Sequence, residues 1–305
     1  MISKLNPGLR QVIQKATLAD STMCWTCSSC DSECPVEIAT NRLRPQRIVR
    51  LANLGLIEEL IASSEIWYCL TCQRCSKICP NLVKPETLVR YARDTAVRCG
   101  VVAYETACAY YDLFRRFQRV RWHAVYNCLH GNSEPLTDAR WHSWLGTPIP
   151  DSYASIASQS LFKTSRPFRQ AAKGADMSSC FTCGECSSSC PVAVERSAFD
   201  PRFIFRMVNL GLADELLLSP SIWLCVQCGR CTDACSQLVD GCRMIAGLRE
   251  LAVQEGKVDE GFPLRVRDAQ KQIYMRLIDE IDKLLGMQLG RKNPPTCPIP
   301  VAECA

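Results

Sequence analysis

No two glycines in this chain of 305 residues are separated by a single residue, so the G-x-G core of a dinucleotide-binding fingerprint is missing, and the phosphate loop G-x-x-x-x-G-K-[ST] is missing too. Nicotinamide and flavin therefore have no recognisable seat. A C-x-x-C-H motif for covalent haem is also lacking. Histidine is scarce, and His123, His130 and His142, the only three, read as surface or packing residues. Long apolar runs are absent near the motifs: the longest charge-free window there, Leu216 to Gly229, has 14 residues, short of the ~18–20 needed to cross a bilayer. No direct membrane span is expected. Met1 to Lys15 is interrupted by Lys4, Arg10 and Lys15, unlike a secretory signal, so a cytoplasmic protein is expected. With 47% hydrophobic and 22% charged residues the composition is that of a folded chain rather than a disordered one.

What is abundant is cysteine, 22 residues in all. A reducing cytosol disfavours a disulfide framework, so that number points to metal ligation or redox chemistry. Sixteen fall into four runs of the form C-x2-C-x2-C-x3-C: Cys24, Cys27, Cys30, Cys34; Cys69, Cys72, Cys75, Cys79; Cys180, Cys183, Cys186, Cys190; and Cys225, Cys228, Cys231, Cys235. Proline follows the first three runs at Pro35, Pro80 and Pro191, while Ser236 follows the last. This is the bacterial type of iron–sulfur run. A cubane needs one thiolate on each of four irons, and three closely spaced cysteines can wrap three corners from one tight loop. In two-run domains the last cysteine of each run serves the other run's cluster. The expected sets are therefore crossed: Cys24, Cys27, Cys30 with Cys79; Cys69, Cys72, Cys75 with Cys34; Cys180, Cys183, Cys186 with Cys235; and Cys225, Cys228, Cys231 with Cys190. Structural zinc also takes four cysteines, but it usually joins two C-x2-C knuckles across a longer loop.

Every cysteine of the third and fourth runs lies 156 residues after its counterpart in the first and second. Laid without a gap on residues 176–256, residues 20–100 give 32 identities in 81, among them Asn53-Leu54-Gly55-Leu56 on Asn209-Leu210-Gly211-Leu212 and Ile66-Trp67 on Ile222-Trp223. A match of that length marks two copies of one domain. Between the runs of each copy the pattern is helical. Pro45 and Pro201 suit a first helical turn, Ile48, Leu51 and Ala52 follow at helical spacing, Gly55 reads as a carboxyl cap, and Leu56, Glu59 and Leu60 begin another short helix. Trp67 and Trp223 stand two residues before a run and read either as a cover that keeps water from a cluster or as ordinary core.

The fold expected is mainly α, with two tandem domains and a helical and irregular connector between them. The segments are 1–103, 104–175, 176–260 and 261–305. Tyr104 to Leu129 reads as an amphipathic helix with Leu113, Phe114, Phe117, Val120 and Val125 on one side; Arg115, Arg116, Arg119 and Arg121 lie largely elsewhere and read as a solvated face. Gly131 to Gly174 turns to Pro, Ser, Thr and Gly, as a connector does. Val266 to Leu285 carries Ile273, Leu277, Ile281 and Leu285 four apart, a second amphipathic helix. The formal charge of +5 counts cysteines as neutral; sixteen thiolates and four oxidised cores bring it to about −3. Nucleic acid is not expected as a partner. Four clusters and no place for a substrate describe a wire for single electrons.

With its Asn-Leu-Gly-Leu helix turn and the Ile-Trp-x-Cys lead into the second run, each copy resembles the C subunit of heterodisulfide reductase, an α-helical ferredoxin carrying two [4Fe-4S] clusters. The resemblance covers about 80 residues of each half. It implies a protein that transfers electrons and does no catalysis itself, standing between a flavin-containing partner and a catalytic partner whose CCG motifs hold the catalytic cluster. The absence of any Cys-Cys pair agrees with the relay role and argues against the iron–sulfur subunits of glycolate oxidase and anaerobic glycerol-3-phosphate dehydrogenase. The duplication departs from the family and suits a soluble heterodisulfide reductase-like complex of sulfur oxidisers, with its doubled relay and catalytic components. Ser236 is a second departure, expected to affect the cluster held by the fourth run.

Six cysteines stand outside the runs. Cys99, Cys108, Cys128 and Cys242 read as small buried hydrophobes. Cys297 and Cys304 lie in a proline-rich tail that resists helix and sheet and offers the competing reading, a thiol–disulfide redox enzyme. A third alternative is the iron–sulfur subunit of another flavin dehydrogenase.

Overall fold

The protein is described here by a computed structural model, which defines residues 5–132, 135–150 and 179–289. The described residues form helices and turns, with no strand among them. The chain divides into two compact units, Met1–Leu113 with Tyr274–Ala305, and Phe114–Ile273. These limits differ from the four segments drawn on the sequence. One boundary falls inside the helix Tyr104–Leu129 and the other inside the helix Phe262–Leu289, because a long amphipathic helix offers its ends to different cores.

In the first unit the helix Pro45–Asn53 packs on Pro85–Arg98. Ile48, Val49 and Ala52 from one and Leu88, Val89 and Ala92 from the other are at most 3% exposed. Pro45 sits in the first turn, where its missing N–H costs nothing. The helix ends at Gly55, whose φ is +69, with Leu56 N–H donating to the Leu51 carbonyl at 3.0 Å, a left-handed termination that favours glycine. A Cβ at Gly55 would stand 1.9 Å from the Asn6 carbonyl oxygen, so any side chain there is excluded. The short helix Ile57–Ile61 follows. Leu277, Ile281 and Leu285, all at most 2% exposed, belong to this unit's part of the last helix.

The second unit repeats the plan: Pro201–Asn209, Ala213–Leu217 and Gly241–Gln254 stand 156 residues after their counterparts. Its core joins Ile204, Phe205, Leu216, Ile245 and Leu248 to Trp122, Val125 and Phe262. Two local differences occur. Pro35–Thr40 is a helix in the first copy, while residues 191–198 form turns. The stretch read as connector contains the helix Asp138–Gly146, capped by Thr137 and anchored by the fully buried Trp141; the pattern of Pro and Ser around it hides nine helical residues. The rest of that connector, residues 133–134 and 151–178, lies outside the described residues.

Candidate iron–sulfur centres

Each cysteine run bends through two residues in the left-handed region: Thr26 and Ser28 (φ 55 and 61), Thr71 and Gln73 (54 and 66), Thr182 and Gly184 (54 and 95), Gln227 and Gly229 (53 and 74). Six of the eight carry a side chain, at a cost on the order of 1 kcal/mol each, and strain repeated four times is held by what surrounds it. The bends curl the first two cysteines back, and a short helix then carries the third: Ser29–Ser32, Arg74–Ile78, Glu185–Ser189 and Arg230–Asp233. In two runs the loop amide reaches a sulfur, Thr71 N–H to Cys69 Sγ at 3.3 Å and Gln227 N–H to Cys225 Sγ at 3.4 Å.

The runs meet in pairs. Cys24, Cys27, Cys30 and Cys79 line one cleft, Cys34, Cys69, Cys72 and Cys75 a second, and Cys180, Cys183, Cys186 and Cys235 a third, with Cys231 on its wall. Counted out to open solvent these clefts measure about 350, 390 and 400 Å³. Cys190 is brought to Cys225 and Cys228, and Cys231 to all three, closely enough for their charges to act on one another. Each set thus joins three cysteines of one run to the fourth of its neighbour. Gln46 and Val49 of helix Pro45–Asn53 face the first cleft, Pro45 and Ile48 the second, so one helix serves as the partition between them. The residue after the third cysteine bolts the loop to that helix: Asp31 accepts from Gln46 N–H at 2.8 Å, and Ser187 from Arg202 N–H at 3.2 Å.

Sulfur donors alone suit soft metal chemistry. Among the described residues no three His, Cys, Asp or Glu side chains are drawn together tightly enough for one metal ion. Zinc, with Zn–S bonds of about 2.3 Å, needs that convergence; sulfurs spread around a cleft fit a cube whose ligands bind four separate irons. Burial pushes the thiols of Cys30 and Cys190 up to about 12 and Cys186 up to about 11. Metal binding must therefore displace protons. Cys27 departs downward, held by hydrogen bonds from Ser29. Each copy has an outer set containing an exposed cysteine, Cys27 or Cys183, and an inner set containing a buried pair, Cys72 with Cys75 or Cys228 with Cys231. Trp25 and Phe181, 156 residues apart, are each 72% exposed and line the outer clefts.

Trp67 and Trp223 are buried but line none of these three clefts. They pack edge-on against Tyr110 and Phe262, with Arg93 and Arg249 over their faces. Motif reasoning passes over those arginines; the one signal they give is an identity between the copies at the centre of a long helix. Ser236 borders the cleft of Cys180, Cys183, Cys186 and Cys235, so the missing proline bears on that site, which Cys235 lines.

Of the remaining cysteines, Cys128 is buried as expected, Cys108 is exposed, and Cys242 is half-buried beside the fourth run. Cys99 is buried but disulfide-bonded, correcting its reading as a free thiol. Cys297 and Cys304 lie outside the described residues. The arginines read as a solvated face are engaged: Arg115 and Arg119 pair with Glu195 at 2.9 and 3.0 Å, and Arg121, only 2% exposed, donates to the Leu224 carbonyl at 2.7 Å. His123, His130 and His142 each reach a backbone carbonyl, as packing residues do. No helix among the described residues is long and apolar enough to cross a membrane.

The family model of the 4Fe-4S dicluster domain matches residues 20–83 and again 176–239. The chain is 38% identical over 90 residues to the C subunit of the H(2):CoB-CoM heterodisulfide,ferredoxin reductase of Methanothermobacter thermautotrophicus, a stretch covering 29% of this chain and 48% of that one. It is 32% identical over 102 residues to the iron-sulfur C subunit of the CoB-CoM heterodisulfide reductase of Methanopyrus kandleri, covering 33% and 53%. A protein of Archaeoglobus profundus that is itself like the C subunit of heterodisulfide reductase is 37% identical over 76 residues, covering 25% and 40%. The chain thus spans about half the length of the curated relatives it matches. It is a tandem ferredoxin protein similar to the C subunit of heterodisulfide reductase, with [4Fe-4S] clusters as cofactors.

Proposed function

We propose that this tandem dicluster ferredoxin is the electron-transfer component of a heterodisulfide reductase-like complex, its four [4Fe-4S] clusters relaying electrons between a flavin-containing and a catalytic protein. The observation that carries the reading is the crossed grouping of cysteines, three from one run and one from its neighbour, around the clefts of both copies. On this reading residues 1–103 and 176–260 are the two dicluster domains. The ligands are Cys24, Cys27, Cys30 with Cys79; Cys69, Cys72, Cys75 with Cys34; Cys180, Cys183, Cys186 with Cys235; and Cys225, Cys228, Cys231 with Cys190. A [4Fe-4S] cluster supplies a site that accepts and returns single electrons.

The chain's own residues do the rest. The outer sets, with Cys27 and Cys183 exposed, meet partners, while the inner sets are wrapped by Val36, Ile48 and Val89 or their counterparts and kept from water. Sixteen thiolates in a reducing cytoplasm, beside a sulfur-oxidising or heterodisulfide-reducing catalytic partner, would be the setting. Nucleic acid is left out because Arg115, Arg119 and Arg121 are bonded within their unit.

Iron and acid-labile sulfide, quantified on anaerobically purified full-length chain, test the reading. About 16 of each per chain are expected, with cubane EPR signals on reduction. About eight of each would leave one copy without clusters, and a colourless, zinc-loaded chain would overturn the reading.

A further inference from the structure

We propose that Arg93 and Arg249 are positioning residues that lock the first cysteine of each inner set in place and, by holding a cation against it, raise that site's reduction potential. The assignment rests on the relay reading above. The two arginines stand 156 residues apart, on the helices Pro85–Arg98 and Gly241–Gln254, and share three contacts, while Arg93 also lies 5.1 Å from the centre of the Tyr110 ring. Arg93 donates from Nε to the Ile66 carbonyl at 2.7 Å and from Nη2 to the Cys69 carbonyl at 2.6 Å. Arg249 donates from Nε to the Ile222 carbonyl at 2.8 Å and from Nη2 to the Cys225 carbonyl at 2.7 Å. Each guanidinium lies 5.6 Å from the centre of a tryptophan ring, Trp67 or Trp223. Between copies that differ at more than half of their aligned positions, both carbonyl bonds and the tryptophan face are kept.

The planar fork fixes two carbonyls at once, which a lysine cannot do. The clamped peptide leads directly into the turn whose amide donates to the Cys69 or Cys225 sulfur, so the clamp sets the direction of that donor. The charge matters separately. Among the described residues these hydrogen bonds end on neutral carbonyls and the ring contacts on an indole, with the Tyr110 ring as well for Arg93, and neither arginine is paired with a carboxylate. Arg93 is buried and Arg249 half-buried; a cation drawn out of water with no anionic partner is costly, and the ring faces recover only part of that. The remaining counter-charge is the inner sulfur set, whose first cysteine offers its own carbonyl to the guanidinium at 2.6 Å in Cys69 and 2.7 Å in Cys225. Reduction adds one negative charge to such a set, and a fixed cation nearby favours that state.

The test is an EPR-monitored redox titration of the anaerobic full-length chain and of Arg93→Gln, Arg93→Lys, Arg249→Gln and Arg249→Lys, with iron and sulfide counted in each. Each Gln variant is expected to keep its iron and to lose at least about tenfold in the reduced-to-oxidised ratio of one cluster at fixed applied potential, about 59 mV downward, while the others hold. The Lys variants are expected to stay within about threefold of the parent ratio. Unchanged potentials in the Gln variants, or equal shifts in Gln and Lys, overturn the assignment. Where a Gln variant loses iron, the Lys variant decides alone: a ratio within about threefold supports the role of charge and a fall of about tenfold overturns it. A parent chain without cubane signals overturns the relay reading itself, a result distinct from cubane signals that fail to move.

Discussion

Glu86 and Cys242 occupy the same position in the two copies, the second residue of the helix that backs the inner cysteines. Glu86 is 2% exposed, lines the cleft of Cys34, Cys69, Cys72 and Cys75, and pairs with Arg90. Cys242 instead donates to Gln227 Oε1 at 3.3 Å and lies beside Cys231 of the inner set. Arg90 has Ala246 as its counterpart, so the acid and its partner are replaced together.

An acid beside one inner site and a neutral thiol beside the other should separate their potentials, because a nearby negative charge disfavours a further electron. Glu86→Gln is expected to raise the first copy's inner potential by on the order of 1 kcal/mol, about 40 mV. Cys242→Glu should lower the second copy's. Redox titration of the two variants checks both signs; movement in the same direction would show that charge at this position does not act on the site.

The outer sets contain exposed Cys27 and Cys183, and the inner sets contain buried pairs. Chelator or brief oxygen exposure should therefore remove iron in two phases, about half in each, with the outer sets first. Iron counts over time read this directly. A single phase would mean that exposure of one ligand does not govern loss.

Gly184 bends its loop at φ +95, beyond the range its counterpart Ser28 occupies at 61. A Cβ at Gly184 would meet Arg202 no closer than 3.6 Å, so any penalty comes from the backbone. Gly184→Val should destabilise by about 1–2 kcal/mol and weaken iron loading of the third run, whereas Ser28→Gly should be neutral or stabilising. Thermal melts with iron counts compare the two.

Burial raises the Cys30 and Cys190 thiols to about 12 from an ordinary value of 9.0. In the metal-free chain the folded state then holds protons that the unfolded state has released between those pH values, so stability present below about pH 9 is lost as the pH rises toward about 12. Iron loading runs the other way, since ligation expels the same protons, and should weaken as the pH falls. Thermal midpoints of apo chain across about pH 8 to 11, and loading across about pH 6 to 9, check each direction.

Much of the fold is legible in the residues themselves. Periodicity bounds a helix over Tyr104 to Leu129, and the structure ends that helix at the same two residues. Ile273, Leu277, Ile281 and Leu285, one stripe in the sequence, are all buried. The helix Asp138–Gly146 escapes such a reading because its core contact rests chiefly on Trp141 and Leu145, too few apolar residues to show a period. Arg115, Arg119 and Arg121 look solvated in the sequence because a helical pattern says which face is polar but not what that face meets.

The 156-residue repeat, the cysteine spacing and the helical period are properties of neighbours along the chain, and covalent spacing alone determines them. Which sulfurs share a cleft, that Ser236 borders the third run's cleft, and that Arg93 and Arg249 stand against Cys69 and Cys225 depend on residues tens of positions apart being packed together. Only tertiary structure decides those relations, because burial, charge and hydrogen bonding act through space, and sequence distance carries no record of it.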